Sequence, residues 1–208
     1  MPGLRPVLGL LLCLLMSGCI ALLGQETAQP LVFELHPKLQ TVACAHSLDK
    51  SLRIWDLSTS APYNRTQMVV VGSHKKITSS RDKQWAELPG VMVAQNLHRD
   101  LNQAGFFRHT IYAMPNVDIA FELTGRVHVF GCEKSQENRR AVLKVELSLR
   151  CIQEDSEPVV HRTYSLRSES LATKEASEFV QAMNRLTGKL SRQFQQDLCS
   201  ALPPGCRP

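Results

Sequence analysis

Val117-Asp118-Ile119-Ala120-Phe121-Glu122-Leu123-Thr124-Gly125-Arg126-Val127-His128-Val129-Phe130 interleaves an apolar series (Val117, Ile119, Phe121, Leu123, Val127, Val129) with a polar one (Asp118, Glu122, Thr124, Arg126, His128). Successive side chains of a strand point to opposite faces, so a period of two predicts a strand with one face buried and the other wet. Ala141 to Cys151 repeats the pattern, with Leu143, Val145, Leu147 and Leu149 set against Lys144, Glu146, Ser148 and Arg150. The polar stretch Glu133 to Arg140 between them predicts a turn, and the pair an antiparallel hairpin. A further strand is expected from Val159 to Ser168, after the break Glu154-Asp155-Ser156-Glu157-Pro158, with Tyr164 and Leu166 facing the core.

Outward from the hairpin, two stretches have helical spacing. In Pro89 to Ala104, Val93, Ala94, Leu97, Leu101 and Ala104 fall on one face, with Pro89 suited to the first turn and Gly105 to the stop. Ala176, Phe179, Val180, Met183, Leu186, Leu190, Phe194 and Leu198 form a longer stripe, which Thr173 can cap, with Glu175 and Glu178 near the positive end of the helix dipole. Gly188 inside this stripe predicts a close packing contact. Shorter strands are expected at Leu52 to Leu57, Gln67 to Gly72 and His74 to Thr78, with one more near Phe107 to Tyr112.

The order, roughly β-β-β-α-β-β-β-α, predicts an α/β (α+β) two-layer sandwich: a mainly antiparallel sheet with both amphipathic helices on one face. Leu97, Leu101, Val180 and Leu190 should then be buried beside Val127, Val145 and Leu147. Trp55 and Trp85 are expected to anchor the core, because each large ring buries so much area.

The N-terminus has the marks of an export signal. Arg5 is the one charge before the apolar run Val7 to Met16, and the small residues Ser17 and Gly18 precede Cys19. Leu15-Met16-Ser17-Gly18-Cys19 resembles the lipobox of bacterial lipoproteins, which implies residues 1–18 as a cleaved signal peptide and Cys19 as the acylated (palmitate-type) first residue. An uncleaved transmembrane anchor fits the same stretch, since Val7 to Leu23 stays apolar over nearly the roughly 20 residues that span a bilayer. In either case the rest of the chain lies outside the cytoplasm. By the same resemblance, Ile20 in place of an inner-membrane-retaining Asp favours the outer membrane. Residues 19–51, with Pro30 and Pro37 and no sustained period, are expected to be the lipidated cysteine and a tether; 52–202 a single domain, and 203–208 a tail.

Composition excludes more than it selects. The formal charge of +5 is carried by scattered pairs such as Lys75-Lys76 and Arg139-Arg140 amid Asp and Glu, without a base-stacking aromatic motif, so no nucleic acid is expected. His36, His46, His74, His98, His109, His128 and His161 show no HxxxH or HExxH spacing, and neither a GxSxG elbow nor a P-loop occurs, so neither metal, cofactor nor catalysis is expected. Asn64-Arg65-Thr66 matches the glycosylation sequon, a chance match in a bacterial lipoprotein. Beyond Cys13 and Cys19 the chain holds Cys44, Cys132, Cys151, Cys199 and Cys206. Their pairing stays open, although Cys199 and Cys206 flank a turn-rich loop that could close locally.

The stretches Ile54-Trp55-Asp56-Leu57, Ala61-Pro62-Tyr63, Met68-Val69-Val70-Val71, Trp85-Ala86-Glu87-Leu88-Pro89 and Gly105-Phe106-Phe107 resemble the auxiliary lipoproteins of ABC-type transport systems, the paraquat-inducible protein C type among them. Asn64 at a turn usually Gly-like, Gln103-Ala104 where Ser is frequent, and Ser79-Ser80 where an aromatic pair is common depart from that pattern. The resemblance covers roughly Leu52 to Leu202. It implies a non-enzymatic envelope scaffold working with an MCE-domain (mammalian cell entry) substrate-binding protein and a permease-ATPase in lipid transport between membranes; a periplasmic lipid-binding carrier is the alternative. For a scaffold, the polar sheet face is the expected docking surface, with Arg126, His128, Lys144 and Glu146 at its centre and Asp118, Glu122 and Arg150 around them.

Overall fold

The computed structural model describes residues 29–44, 47–136, 138–152 and 157–201. The segment expected to be a signal peptide, Cys19 and the stretch from 202 to Cys206 lie outside the described residues. Among the described residues there are nine strands and two long helices: β1 (Leu31–Phe33), β2 (Leu48–Ile54), β3 (Ser58–Thr59), β4 (Gln67–Val71), β5 (Ile77–Trp85), α1 (Pro89–Ala104), β6 (Phe107–Tyr112), β7 (Phe121–Lys134), β8 (Arg139–Cys151), β9 (Val160–Arg167) and α2 (Ala176–Ala201).

β7 organises the sheet. One of its edges pairs antiparallel with β8 along the whole strand, from Phe121↔Cys151 to Lys134↔Arg139, and β9 continues antiparallel beyond β8. The other edge takes three short strands in series, all parallel: β2 against Phe121 to Leu123, β3 against Arg126 and Val127, and β4 against Cys132 and Glu133. β6 adds parallel to β2, and β4 leads antiparallel to β5 and then parallel to β1. The expected sandwich with both helices on one face is present. Its sheet is mixed, because the short upstream strands run parallel to β7 while the long ladders are antiparallel.

Alternation sets the core. Phe121, Leu123 and Val127 of β7 and Ala141, Leu143, Val145, Leu147 and Leu149 of β8 are buried, and Leu97, Leu101, Leu186, Leu190, Phe194 and Leu198 of the helices close over them. Val180 is only partly buried, at the margin of this core. Trp85 sits against Phe130 in an edge contact at 5.2 Å and against Phe179 at 5.7 Å, which ties β5, β7 and α2 together. The helix ends follow their chemistry. Pro89 occupies the first turn of α1, and Gly105 ends it at φ 69, where a side chain would be strained. Before α2, Thr173 Oγ1 accepts the Glu175 N–H at 3.2 Å, and Glu178 accepts from the Ala172 and Thr173 amides at 2.7 Å.

Several expectations about the elements need correction. His74 to Thr78 is not a strand from its start: His74 and Lys75 have φ 55 and 57 in a short 3-10 turn, which reverses the chain so that β5 can run back along β4. The strand from Val117 starts only at Phe121. The segment expected to be a tether up to Ser51 is built into the fold from Leu31 on. β1 pairs with β5, and residues 34–44 run as an extended strap over the helices, where His36 N donates to Asn184 Oδ1, Arg99 Nη2 to the Pro37 carbonyl and Val42 N to Gln195 Oε1. Extended backbone without a sheet partner needs such side-chain partners, and the alternating pattern that marks a strand is therefore absent from its sequence.

Candidate functional site: the uncovered sheet face

Since both helices cover the face that bears Leu123, Val127 and Val145, the opposite face presents the even-numbered residues of β8 and, up to the bulge at His128, those of β7; beyond it the odd-numbered residues of β7 take their place. The cross-strand rows that run over it include Arg53, Glu122 and Arg150; Ser58, Arg126, Glu146 and Thr163; and Val129, Lys144 and Ser165. Tyr63, held in the short 3-10 segment Ala61–Tyr63, closes the far end by packing at Gly131.

Glu122 is the hub of the first row. Its Oε1 accepts from Arg53 Nη2 at 2.7 Å and from Trp55 Nε1 at 2.6 Å, while the Arg53 guanidinium lies 4.6 Å from the centre of the Trp55 ring. Burial pushes the Glu122 carboxyl up, but the hydrogen bonds from Arg53 and Trp55 and the charges of Arg53 and Arg150 outweigh it, so the group titrates below the usual carboxylate range. Trp55 is thus a half-buried ring held in one orientation on the open face, which corrects the expectation that it anchors the core; Trp85, 2 % exposed, does anchor it.

The residues expected at the centre of this face fall together only in part. Arg126 stands directly opposite Glu146, and its Nε donates to Ser58 Oγ at 3.2 Å. His128 is the extra residue of a β-bulge between Val127 and Val129, and its Nε2 lies 3.2 Å from Glu146 Oε2. Lys144 is exposed one row further on, and Asp118 precedes the strand. Glu122 and Arg150 join the face as expected. Arg53 and Trp55 were not anticipated there, yet the alternation of buried Leu52 and Ile54 with Arg53 and Trp55 carries that information.

Among the described residues, no group of three or more His, Cys, Asp or Glu side chains is placed to hold a metal ion, and no helix is long and apolar enough to cross a membrane. A groove of about 770 Å³ on the other side of the molecule, between the strap and α2, is lined by Lys38, Arg185, Lys189 and Arg192 among glutamines.

Comparison with known proteins adds the following. A family model described as the ABC-type transport auxiliary lipoprotein component matches residues 33–194. A crystal structure from Xanthomonas campestris, of the family DUF330, superposes with a TM-score of 0.72 at 11% identity, covering 82% of this chain and 96% of that one. A second crystal structure, of an uncharacterized protein, gives a TM-score of 0.63 at 12% identity, covering 82% and 99%. A hypothetical protein from Chlamydia trachomatis gives 0.51 at 7% identity, covering 74% and 99%. At such identities these likenesses concern the fold alone. No curated protein matches the sequence.

Proposed function

The chain belongs to the family of ABC-type transport auxiliary lipoprotein components, and from that premise we propose that it is a docking component, without turnover of its own, anchored through an acylated Cys19 at the outer membrane. In this reading its partner is the MCE-domain protein of an ABC-type system whose permease-ATPase drives lipid transport between membranes. The observation that carries the reading is the asymmetry of the sandwich. One sheet face is covered by two helices and a strap, whereas the other presents Arg53, Arg126, Arg140, Lys144, Arg150 and Arg167 against Glu122, Glu133 and Glu146. An excess of positive charge around a fixed tryptophan suits an acidic partner surface with one aromatic anchor point.

The carrier alternative finds less support. A carrier needs an apolar cavity, typically ~300–1,000 Å³ for small ligands, whereas the space between sheet and helices is filled by Phe130, Leu143, Leu147, Leu190 and Phe194, each at most 1% exposed. Two measurements test the proposal. Fatty-acid labelling should be lost in Cys19→Ala; labelling equal to the parent would remove the anchor. Affinity purification of the full chain from solubilised envelopes should bring the MCE-domain protein with it; its absence, with the bait intact and lipidated, would remove the docking role.

A further inference from the structure

The strap ends beside the last turns of α2. Val42 N donates to Gln195 Oε1 at 2.8 Å, and Gln195 Nε2 donates to the Gln40 carbonyl at 2.8 Å and to Ser191 Oγ at 3.1 Å. Gln195 is fully buried, so these bonds fix the register of strap on helix. Cys199 follows Gln195 by one helical turn on the same face, and Cys44 follows Val42 by two residues of extended chain. The two side chains come together: both are free thiols, half-buried against the core, and Cys44 is close enough to perturb the titration of Cys199. The two other described cysteines are remote from each other, Cys132 pairing with Ala141 at one end of the long hairpin and Cys151 with Phe121 at the other.

We propose that Cys44 and Cys199 form a disulfide that fastens the strap to the end of α2. The proposal rests on the reading of the protein as exported, because thiols persist as thiols in the cytoplasm. It also replaces the local Cys199 to Cys206 bridge that spacing alone leaves open. Burial first, and then the neighbouring Cys44, push the Cys199 thiol up to about 12. A thiol so raised is a slow attacker, so Cys44 makes the first attack. The oxidant is the disulfide of a thioredoxin-like CxxC donor. The Cys44 thiolate attacks it and releases one donor thiol. With Cys44 held in the mixed disulfide its contribution to the raised pKa is gone, and Cys199 loses its proton and displaces the second donor sulfur. The cysteine pair gives up two electrons and two protons, and the donor disulfide becomes a dithiol.

The test is peptide mapping without reduction, on the full chain extracted from envelopes under acid quench and alkylation. A cross-linked peptide joining Cys44 to Cys199 is expected. A Cys199 to Cys206 link, or alkylation of both Cys44 and Cys199, overturns the proposal. In the alkylated case, exposing the purified reduced chain to glutathione disulfide locates the error: closure there means that the pairing is sound and the export reading failed, and no closure means that the pairing failed. Reductant should also lower the melting temperature of the parent by about 10 °C, given the length of the closed loop, and leave Cys44→Ser/Cys199→Ser unchanged. An equal shift in that variant counts against the bond.

Discussion

An added Cβ at Gly90, in the first turn of α1, would stand 1.9 Å from the Leu57 carbonyl oxygen and 2.8 Å from Thr59 Oγ1, the group that accepts the Gly90 N–H. At Gly188, in the middle of α2, the same atom would meet only the end of the Gln40 side chain at 3.6 Å, an ordinary contact. The close packing expected at Gly188 is therefore not found, and the site has room for a methyl group. Gly188→Ala should stabilise the protein by about 0.5–1 kcal/mol through helix propensity, and Gly90→Ala should destabilise it by ~3 kcal/mol through overpacking; urea midpoints compare the two directly. Glu122 carries a pH signature. Its folded pKa is depressed, so its contribution is complete above the unfolded value of ~4.3 and disappears as pH falls through the folded value. At pH 7 Glu122→Gln should cost ~1 kcal/mol, discounted for the partial exposure of the pair, and the gap between parent and variant should close below about pH 4. A gap that persists in acid would mean that the charge of Glu122 is not what holds Arg53 and Trp55.

Among the elements, those with a strong period were legible. Pro89–Ala104 and Phe107–Tyr112 have the bounds that their sequence implies, and the hairpin of β7 and β8 follows its alternation. The bulge at His128 was not legible: it shifts the phase so that Phe130 and Cys132 turn inward and Val129 does not, although Val129 continues the apolar series. A two-residue period cannot announce its own interruption when both neighbours are apolar. β5 was recognised only at its start, because Ser79 to Gln84 lie in a strand whose side chains are mostly in water. The strap escaped because it is held by polar side chains distant in sequence, above all Gln195. Gln195→Ala leaves the Val42 amide and the Gln40 carbonyl without that partner, at a cost of ~1–3 kcal/mol. Hydrogen exchange should accelerate at Val42 while β7 and β8 keep their protection, and uniform loosening of the whole domain would show that the strap is not a separate layer.

At the scale of the molecule, burial is one-sided. Helices, strap and most of the large apolar side chains lie on one face of the sheet, and each Leu→Ala change there, Leu97→Ala or Leu147→Ala for example, should lower stability by ~2–5 kcal/mol in denaturant titrations. The polar face owes nothing to this core, and its charges are largely separable from folding. Most of the candidate surface, Arg126, His128, Lys144 and Glu146 with Glu122 and Arg150, could be read from alternation in two strands; its edge, Arg53 and Trp55, arrives through the parallel pairing of β2 with β7, which depends on chain topology more than on local pattern. Docking through this face is the central claim, and one binding titration addresses it most directly. Soluble forms of Arg126→Glu/Lys144→Glu, and of Arg185→Glu/Lys189→Glu on the opposite side of the molecule as control, are titrated into the MCE-domain protein at fixed ionic strength. The account predicts that the first pair weakens binding at least about tenfold, equivalent to 1.4 kcal/mol, while the second binds as the parent does; parental affinity in the first pair with loss in the second would contradict it.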